Sequence, residues 1–136
     1  MGMYTFVLIA ASQGWADAQP VEARLAEVYE RVGTDMFVVH GERRGADRIA
    51  EDWCERWHVT HKRFEPDWDR DGYRAGRLRN SAMVDFVIEQ RIEFGADIEL
   101  ALFKLDGDDS EELRHLTERC RLAGVHGTVV SARVAA

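Results

Sequence analysis

Cysteine is scarce in this chain. Cys54 and Cys120 are the two thiols in 136 residues. They are too few for a disulfide framework, and they fit a reducing, cytoplasmic setting. Cys54 falls inside a helical pattern, where a small buried hydrophobe is favoured over a nucleophile. Long apolar runs are absent as well. The opening MGMYTFVLIAA has no basic flank and is too short to span a membrane. Gly2 does not make a myristoylation motif, because the required hydroxyl falls at Thr5 rather than at Phe6. Positive charge is in deficit: 18 Lys and Arg stand against 25 Asp and Glu, for a net charge of -7. That argues against a general nucleic-acid binder and leaves room for a local basic pocket. There is no P-loop, no G-x-G-x-x-G, no nucleophile elbow and no Cys/His spacing that fits a zinc site.

The hydrophobic fraction of 46% and the charged fraction of 32% are those of a globular chain, and the length suits one domain with one core. Tyr4 to Ala10 reads as a strand, and its unbroken hydrophobicity implies burial on both faces, as in a parallel sheet. Asp17 to Val32 reads as a helix with Pro20 in its first turn and Val21, Leu25, Val28, Tyr29 and Val32 on one stripe. Met36 to Val39 is a strand. Gly45 to Trp57 is a helix with Ala46, Ile49, Ala50, Trp53 and Trp57 on one face. Val59 to Phe64 alternates, which predicts a half-exposed edge strand. Pro66 to Arg77 reads as a long loop, Leu78 to Phe94 as a helix closed by Gly95, and Ile98 to Leu105 as a strand. Asp109 to Ala123 reads as a helix closed by Gly124, and Thr128 to Val134 as the last strand. This order predicts a three-layer α/β/α Rossmann-like sandwich around a mainly parallel five-stranded sheet, with right-handed crossovers. Its ligand site belongs at the carboxyl ends of the strands, near the switch point.

Two segments carry candidate chemistry. In VVHGERRGAD, Val38 to Asp47, a strand ends in a glycine-bounded turn and runs into a helix start. Such a junction offers backbone N–H groups and positive charge to a phosphate. Gly41 and Gly45 permit a sharp turn and close approach, which plain turn chemistry also requires. Arg43 and Arg44 lie in the turn, with Arg44 nearer the helix start. Asp47 can compensate the helix dipole or accept hydrogen bonds from ribose hydroxyls; both readings stand. In DWDRDGYRAGRLRN, Asp67 to Asn80, Arg79 can grip a phosphate, and Asn80 can cap the helix or bind a base. Trp68 and Tyr73 can stack on a base or pack the loop onto the core. His58 and His61, three apart on a strand, point to opposite faces and do not share a metal. His40, at a strand end near the pocket, suits a structural hydrogen bond better than acid–base work.

HGERRGADRIAEDW and DWDRDGYRAGRLRNSAMV together resemble the YspA-like, cpYpsA-related branch of the SLOG superfamily, over Tyr4 to Val130. The resemblance implies a Rossmann-like domain that binds a nucleotide or nucleotide-derived ligand of the ADP-ribose or NAD kind, likened to the DNA-processing protein A fold and the Lonely Guy phosphoribohydrolases. On the matching positions it implies a ligand-binding set of Ser12, His40, Gly41, Arg44, Gly45, Ala46, Asp47, Asp67, Trp68, Arg74, Gly76, Arg79 and Asn80. Two departures stand out. Ala11, Ser12 and Gln13 replace the family's Gly-Ser-Arg after the first strand, removing one phosphate contact. The glycine-rich loop after the fourth strand is DGDDSEEL, Asp106 to Leu113, where Asp109 and Ser110 fall at cap positions and the carboxylates repel an anion. That loop either faces solvent or recruits a divalent cation such as magnesium.

Three functions are compatible with this pattern. The first is a binding module that senses or sequesters a nucleotide-derived small molecule, as a homo-oligomer and away from membranes. The second is hydrolysis of a nucleotide N-glycosidic bond, with Asp47, Glu111 or Glu112 beside the anomeric carbon. It ranks lower because the Pro-Gly-Gly-x-Gly-Thr-x-x-Glu signature of the phosphoribohydrolases is missing. The third is a protein-interaction domain with a degenerate pocket.

Overall fold

A strand without an exposed face needs cover on both sides, and β1 (Thr5–Ala11) is such a strand. Its side chains alternate: Val7 and Ile9 join one core, while Phe6, Leu8 and Ala10 join the other. This computed structural model describes residues 4–42 and 44–132. Arg43 and the end of the predicted last strand beyond 132 lie outside the described residues. Five parallel strands form one sheet in the order β3-β2-β1-β4-β5. They are β1, β2 (Met36–His40), β3 (Thr60–Arg63), β4 (Asp97–Leu105) and β5 (Gly127–Ala132). β1 runs in register between β2, where Val7 lies beside Val38, and β4, where Val7 lies beside Glu99.

The helices α1 (Ala18–Val32) and α2 (Gly45–Trp57) cover one face. The apolar stripe of α1 is buried through Val21, Leu25 and Val28, and Asp17 caps it by accepting the Gln19 N–H at 3.2 Å. The other face is covered by α4 (Ala75–Phe94) and α5 (Glu111–Leu122), which bury Met83, Val84, Val87, Leu113, Leu116 and Cys120. The result is the α/β/α sandwich that the element order predicts. Both thiols are core atoms, and burial pushes Cys54 up to about 12 and Cys120 up to about 11. Among the described residues no helix is long and apolar enough to cross a membrane.

Three local expectations are corrected. The long loop is largely helical: α3 (Trp68–Asp71) and a 3-10 turn over Gly72–Arg74 lead straight into α4, which starts at Ala75 rather than at Leu78. Asp67 starts that sequence by accepting the Arg70 N–H at 3.0 Å. Charged residues fill these turns, so no apolar period marks them. Trp57 does not complete the inward stripe of α2. It lies 53% exposed at the helix end, beside Tyr29 and Trp53. The buried residue on that helix that hydropathy hides is Glu51, 1% exposed.

Phe103, near the carboxyl end of β4, is fully buried and packs its ring 5.6 Å from that of Trp15. Phe103→Ala is expected to lower unfolding free energy by ~3–5 kcal/mol, the scale for truncating a core aromatic. Urea denaturation checks this, and a loss below ~1 kcal/mol would show that the surrounding core collapses onto the cavity.

Candidate functional site

Chain order turns back at β1: β2 and β3 lie to one side of it, β4 and β5 to the other. At such a switch point the loops leaving neighbouring strands diverge and leave a crevice. Here the crevice is a cavity of about 330 Å³, lined by Ala11–Gly14 after β1, Glu42 and Arg44–Asp47 after β2, Trp68, Arg79, and Ser110–Leu113 at the start of α5. This volume lies at the small end of the range for small-molecule pockets. A second cavity, of about 520 Å³, adjoins it across Glu111 and Glu112 and is lined by Tyr73, Arg74, Arg77, Leu78, Ser81 and His115.

The turn after β2 is shaped by close approach. A side chain on Gly41 would collide with Arg79 Nη1 and crowd Asp47 Oδ2. The glycine therefore lets the guanidinium lie against the backbone. Gly45 opens α2 with φ of 56°, and a Cβ there would meet the Trp15 carbonyl at 3.1 Å. Ala46 is buried behind it. Asp47 stands in the first turn of α2, as the dipole reading requires, and it has a further role: its Oδ1 accepts the Gly41 N–H at 3.0 Å and ties the turn to the helix.

Arg79 is held from behind. Its Nε donates to Asn80 Oδ1 at 3.0 Å, and Asn80 Nδ2 donates to the Glu112 carbonyl at 3.1 Å. Asn80 is thus buried in the second turn of α4 and joins it to α5; it does not cap the helix. Arg79 Nη1 is shielded from solvent and has no hydrogen-bond partner among the described residues. Buried donors are nearly always paired, so an unpaired guanidinium nitrogen in a pocket wall marks where an acceptor belongs.

The remaining charges largely occupy one another. Arg44 Nη2 donates to Glu42 Oε1 at 2.8 Å, and Arg77 pairs with Glu111. The Glu112 carboxylate lies against Gly76, which is buried in the first turn of α4. Ser12 Oγ accepts the Leu105 N–H at 2.8 Å and donates to Asp108, so it stitches the ends of β1 and β4 together. That hydroxyl and the Ser110 N–H hold the Asp108 carboxyl below the usual range. The cap at α5 differs from expectation. Asp108 takes the Ser110 N–H, while Ser110 makes no side-chain cap bond to the helix.

Of the residues expected at the ligand, Ser12, Arg44, Gly45, Ala46, Asp47, Trp68 and Arg79 meet at the first cavity. Asn80 lines a small void of about 50 Å³ beneath it, and Arg74 lines the adjoining cavity. Gly41 packs under Arg79, Gly76 packs against Glu112, and Asp67 caps α3. Trp68 is half exposed at the rim, whereas Tyr73 stands 92% exposed and packs no loop onto the core. Sequence reasoning missed the wall contribution of Glu42. Its pairing with Arg44 is a two-residue contact that a turn makes legible.

His40 faces away from this cavity. Its Nδ1 lies 3.1 Å from the Gly41 carbonyl, and its Nε2 lies 2.9 Å from His61 Nδ1 and 3.9 Å from Glu51. Burial lowers its basicity. His58 is not on the strand at all: it caps α2 in the left-handed region with φ of 56°. His61 therefore pairs with His40, a contact set by the register of β3 on β2.

Burial pushes the Asp47 carboxyl up to about 6, although the Gly41 N–H and the Arg79 cation pull the other way. The unfolded chain titrates this group near ~3.9, so the folded state holds more protons between the two values. The associated stability is complete below the unfolded value and is lost as pH rises through the folded one. Asp47→Asn keeps an acceptor for Gly41 and removes the charge. Melting curves of both proteins are expected to show the variant gaining on the wild type from about pH 4 to about pH 7, then holding constant. A difference that is flat with pH, or opposite in sign, would refute the assignment.

The family model of the YspA, cpYpsA-related SLOG family matches residues 5–70, taking in the glycine-bounded turn and Trp68 and ending ahead of Arg79. The Gene 61 protein of Mycobacterium phage D29 is 37% identical over 124 residues, 88% of this chain and 90% of that protein. Among solved structures, the C-terminal domain of a hydrogenase from Pyrococcus furiosus aligns with 95% of this chain and 92% of its own, at 14% identity and a TM-score of 0.49.

Proposed function

The chain belongs to the YspA, cpYpsA-related SLOG family, and from that premise we propose that it binds a nucleotide-derived ligand of the ADP-ribose or NAD kind in the switch-point cavity. The observation that carries this reading is Arg79 Nη1, buried in the pocket wall beside Gly41 without a hydrogen-bond partner among the described residues. A phosphate oxygen supplies the missing acceptor. Around it the pocket is rich in carboxylates, Glu42, Asp47, Glu111 and Glu112. Such walls disfavour a second bare phosphate and favour hydrogen-bond donors. Ribose hydroxyls and an exocyclic amine meet that need. The cavity accommodates a mononucleotide-sized part, and the adjoining one, with Arg74 and Arg77, receives the remainder of a longer ligand. Trp68 at the rim offers a face for a base. A magnesium ion bridging a ligand phosphate to the acidic loop is a second route for an anion.

Isothermal titration with ADP-ribose, NAD and AMP, each with and without magnesium, tests the proposal. Arg79→Ala is expected to weaken binding by ~1.5–3 kcal/mol, the scale of a charge-assisted hydrogen bond, with little change in melting temperature. Gly41→Ala displaces the same guanidinium and weakens binding in parallel. Unchanged affinity in both variants, for a ligand that protects the wild type from thermal unfolding, refutes the role of Arg79.

A second reading is favoured by Asp47 alone. A carboxyl near 6 is poised to donate a proton to a departing base near neutral pH. Release of free base from AMP or NAD, lost in Asp47→Asn while binding persists, would make the protein a hydrolase of the N-glycosidic bond. Binding without release would leave it a sensor or sequestering module.

A further inference from the structure

Beneath α2, one turn along from the cavity wall, lies a second polar group. His40 is fully buried, Glu51 is 1% exposed and His61 is partly buried. They come from three elements, β2, α2 and β3, and one ligand atom from each lies within 4.8 Å of the others. We infer that His40, Glu51 and His61 form a divalent transition-metal site, of the zinc class, that fastens the edge strand β3 to β2 and α2.

The tautomers favour it. The Gly41 carbonyl only accepts hydrogen bonds, so His40 Nδ1 is the donor in their 3.1 Å contact. Its Nε2 is then unprotonated, with its lone pair turned to His61 Nδ1 at 2.9 Å. A histidine oriented by a backbone carbonyl through one nitrogen and left with the other free to ligate is the arrangement metal sites use. A bound ion replaces the proton shared between the rings, and the His61 proton moves to Nε2. Both imidazoles remain neutral, as ligation requires.

The spacing is compact enough. Zinc bonds to nitrogen and carboxylate oxygen run ~2.0–2.2 Å, so tetrahedral ligand atoms sit about 3.3 Å apart. From 2.9 Å the two ring nitrogens need to part by ~0.4 Å, and from 3.9 Å the Glu51 carboxylate needs to close on His40 by ~0.6 Å, a rotamer adjustment. Two imidazoles and one carboxylate are a zinc-type donor set with a fourth position left for water. Calcium and magnesium prefer oxygen donors and are disfavoured here.

Arg63 opposes the ion. Its Nε donates to Glu51 Oε1 at 3.0 Å. The same guanidinium holds Glu65 at 2.7 Å through Nη1 and is 38% exposed. It therefore keeps a partner when the metal takes Glu51. Arg63 acts as a competitor that tunes affinity, which gives the proposal a second, opposite test.

The full chain, stripped with chelator and dialysed, is titrated with cobalt(II) followed by visible absorption and with zinc(II) followed by calorimetry. One equivalent per chain is expected, with four-coordinate cobalt bands and a raised melting temperature. His61→Gln, on the edge strand, is expected to weaken binding at least tenfold with the metal-free melting temperature unchanged. Arg63→Gln is expected to strengthen binding severalfold. Failure of the wild type to bind one equivalent overturns the site. So does an affinity that neither substitution moves, which would place the metal elsewhere in the chain.

Discussion

Burial of β1 on both faces is the constraint on which the rest depends. A central strand that is apolar throughout has to be flanked by strands and roofed by helices on each side. The chain meets this by placing β2 on one side, β4 on the other, α1 and α2 above, and α4 and α5 below. The strands are parallel, so their carboxyl ends share one edge of the sheet. The loops after β1, β2 and β4 must then converge there. The Ser12 hydroxyl fixes the separation of two of them by accepting the Leu105 N–H. The Trp15 carbonyl, close against Gly45, fixes the third.

The pocket is electrostatically mixed, and Arg79 decides its character. Most of its charges are engaged with near neighbours, as Arg44 is with Glu42 and Arg77 with Glu111. Those contacts are exposed or half-exposed and are worth little to stability. Arg79 differs because a buried amide, Asn80, orders it from one side and ties itself to the Glu112 carbonyl on the other. A buried polar network that is satisfied everywhere but at one donor holds that donor in place. Preorganisation of this kind lowers the ordering cost of binding an acceptor.

Helix α2 serves two sites at once. Asp47 and Glu51 are one turn apart and project toward the same sheet edge, one into the cavity wall and the other under the helix toward His40 and His61. The Gly41 peptide groups link them, because its N–H is held by Asp47 and its carbonyl by His40. A buried glutamate in the middle of an otherwise apolar helix face costs free energy unless it is paired. Arg63 and His40 lie within reach of it.

Hydropathy periods alone located all five strands and the four long helices, because burial on two faces or on one stripe is a property of consecutive residues. The glycine-bounded turn was legible for the same local reason: Gly41, Gly45 and Asp47 stand within one short segment. The short helix at Trp68–Asp71 was not, since its charged residues carry no apolar period. Nor was the role of Asn80, whose hydrogen bonds reach 32 residues along the chain to Glu112. His61 shows the limit most clearly. Read against His58, its sequence neighbour, it made no site; its real partner lies 21 residues back on the adjacent strand. Which residues share a face is decided within a segment. Which faces meet is decided by strand order and register, and those arise only when segments distant in the chain are packed against one another.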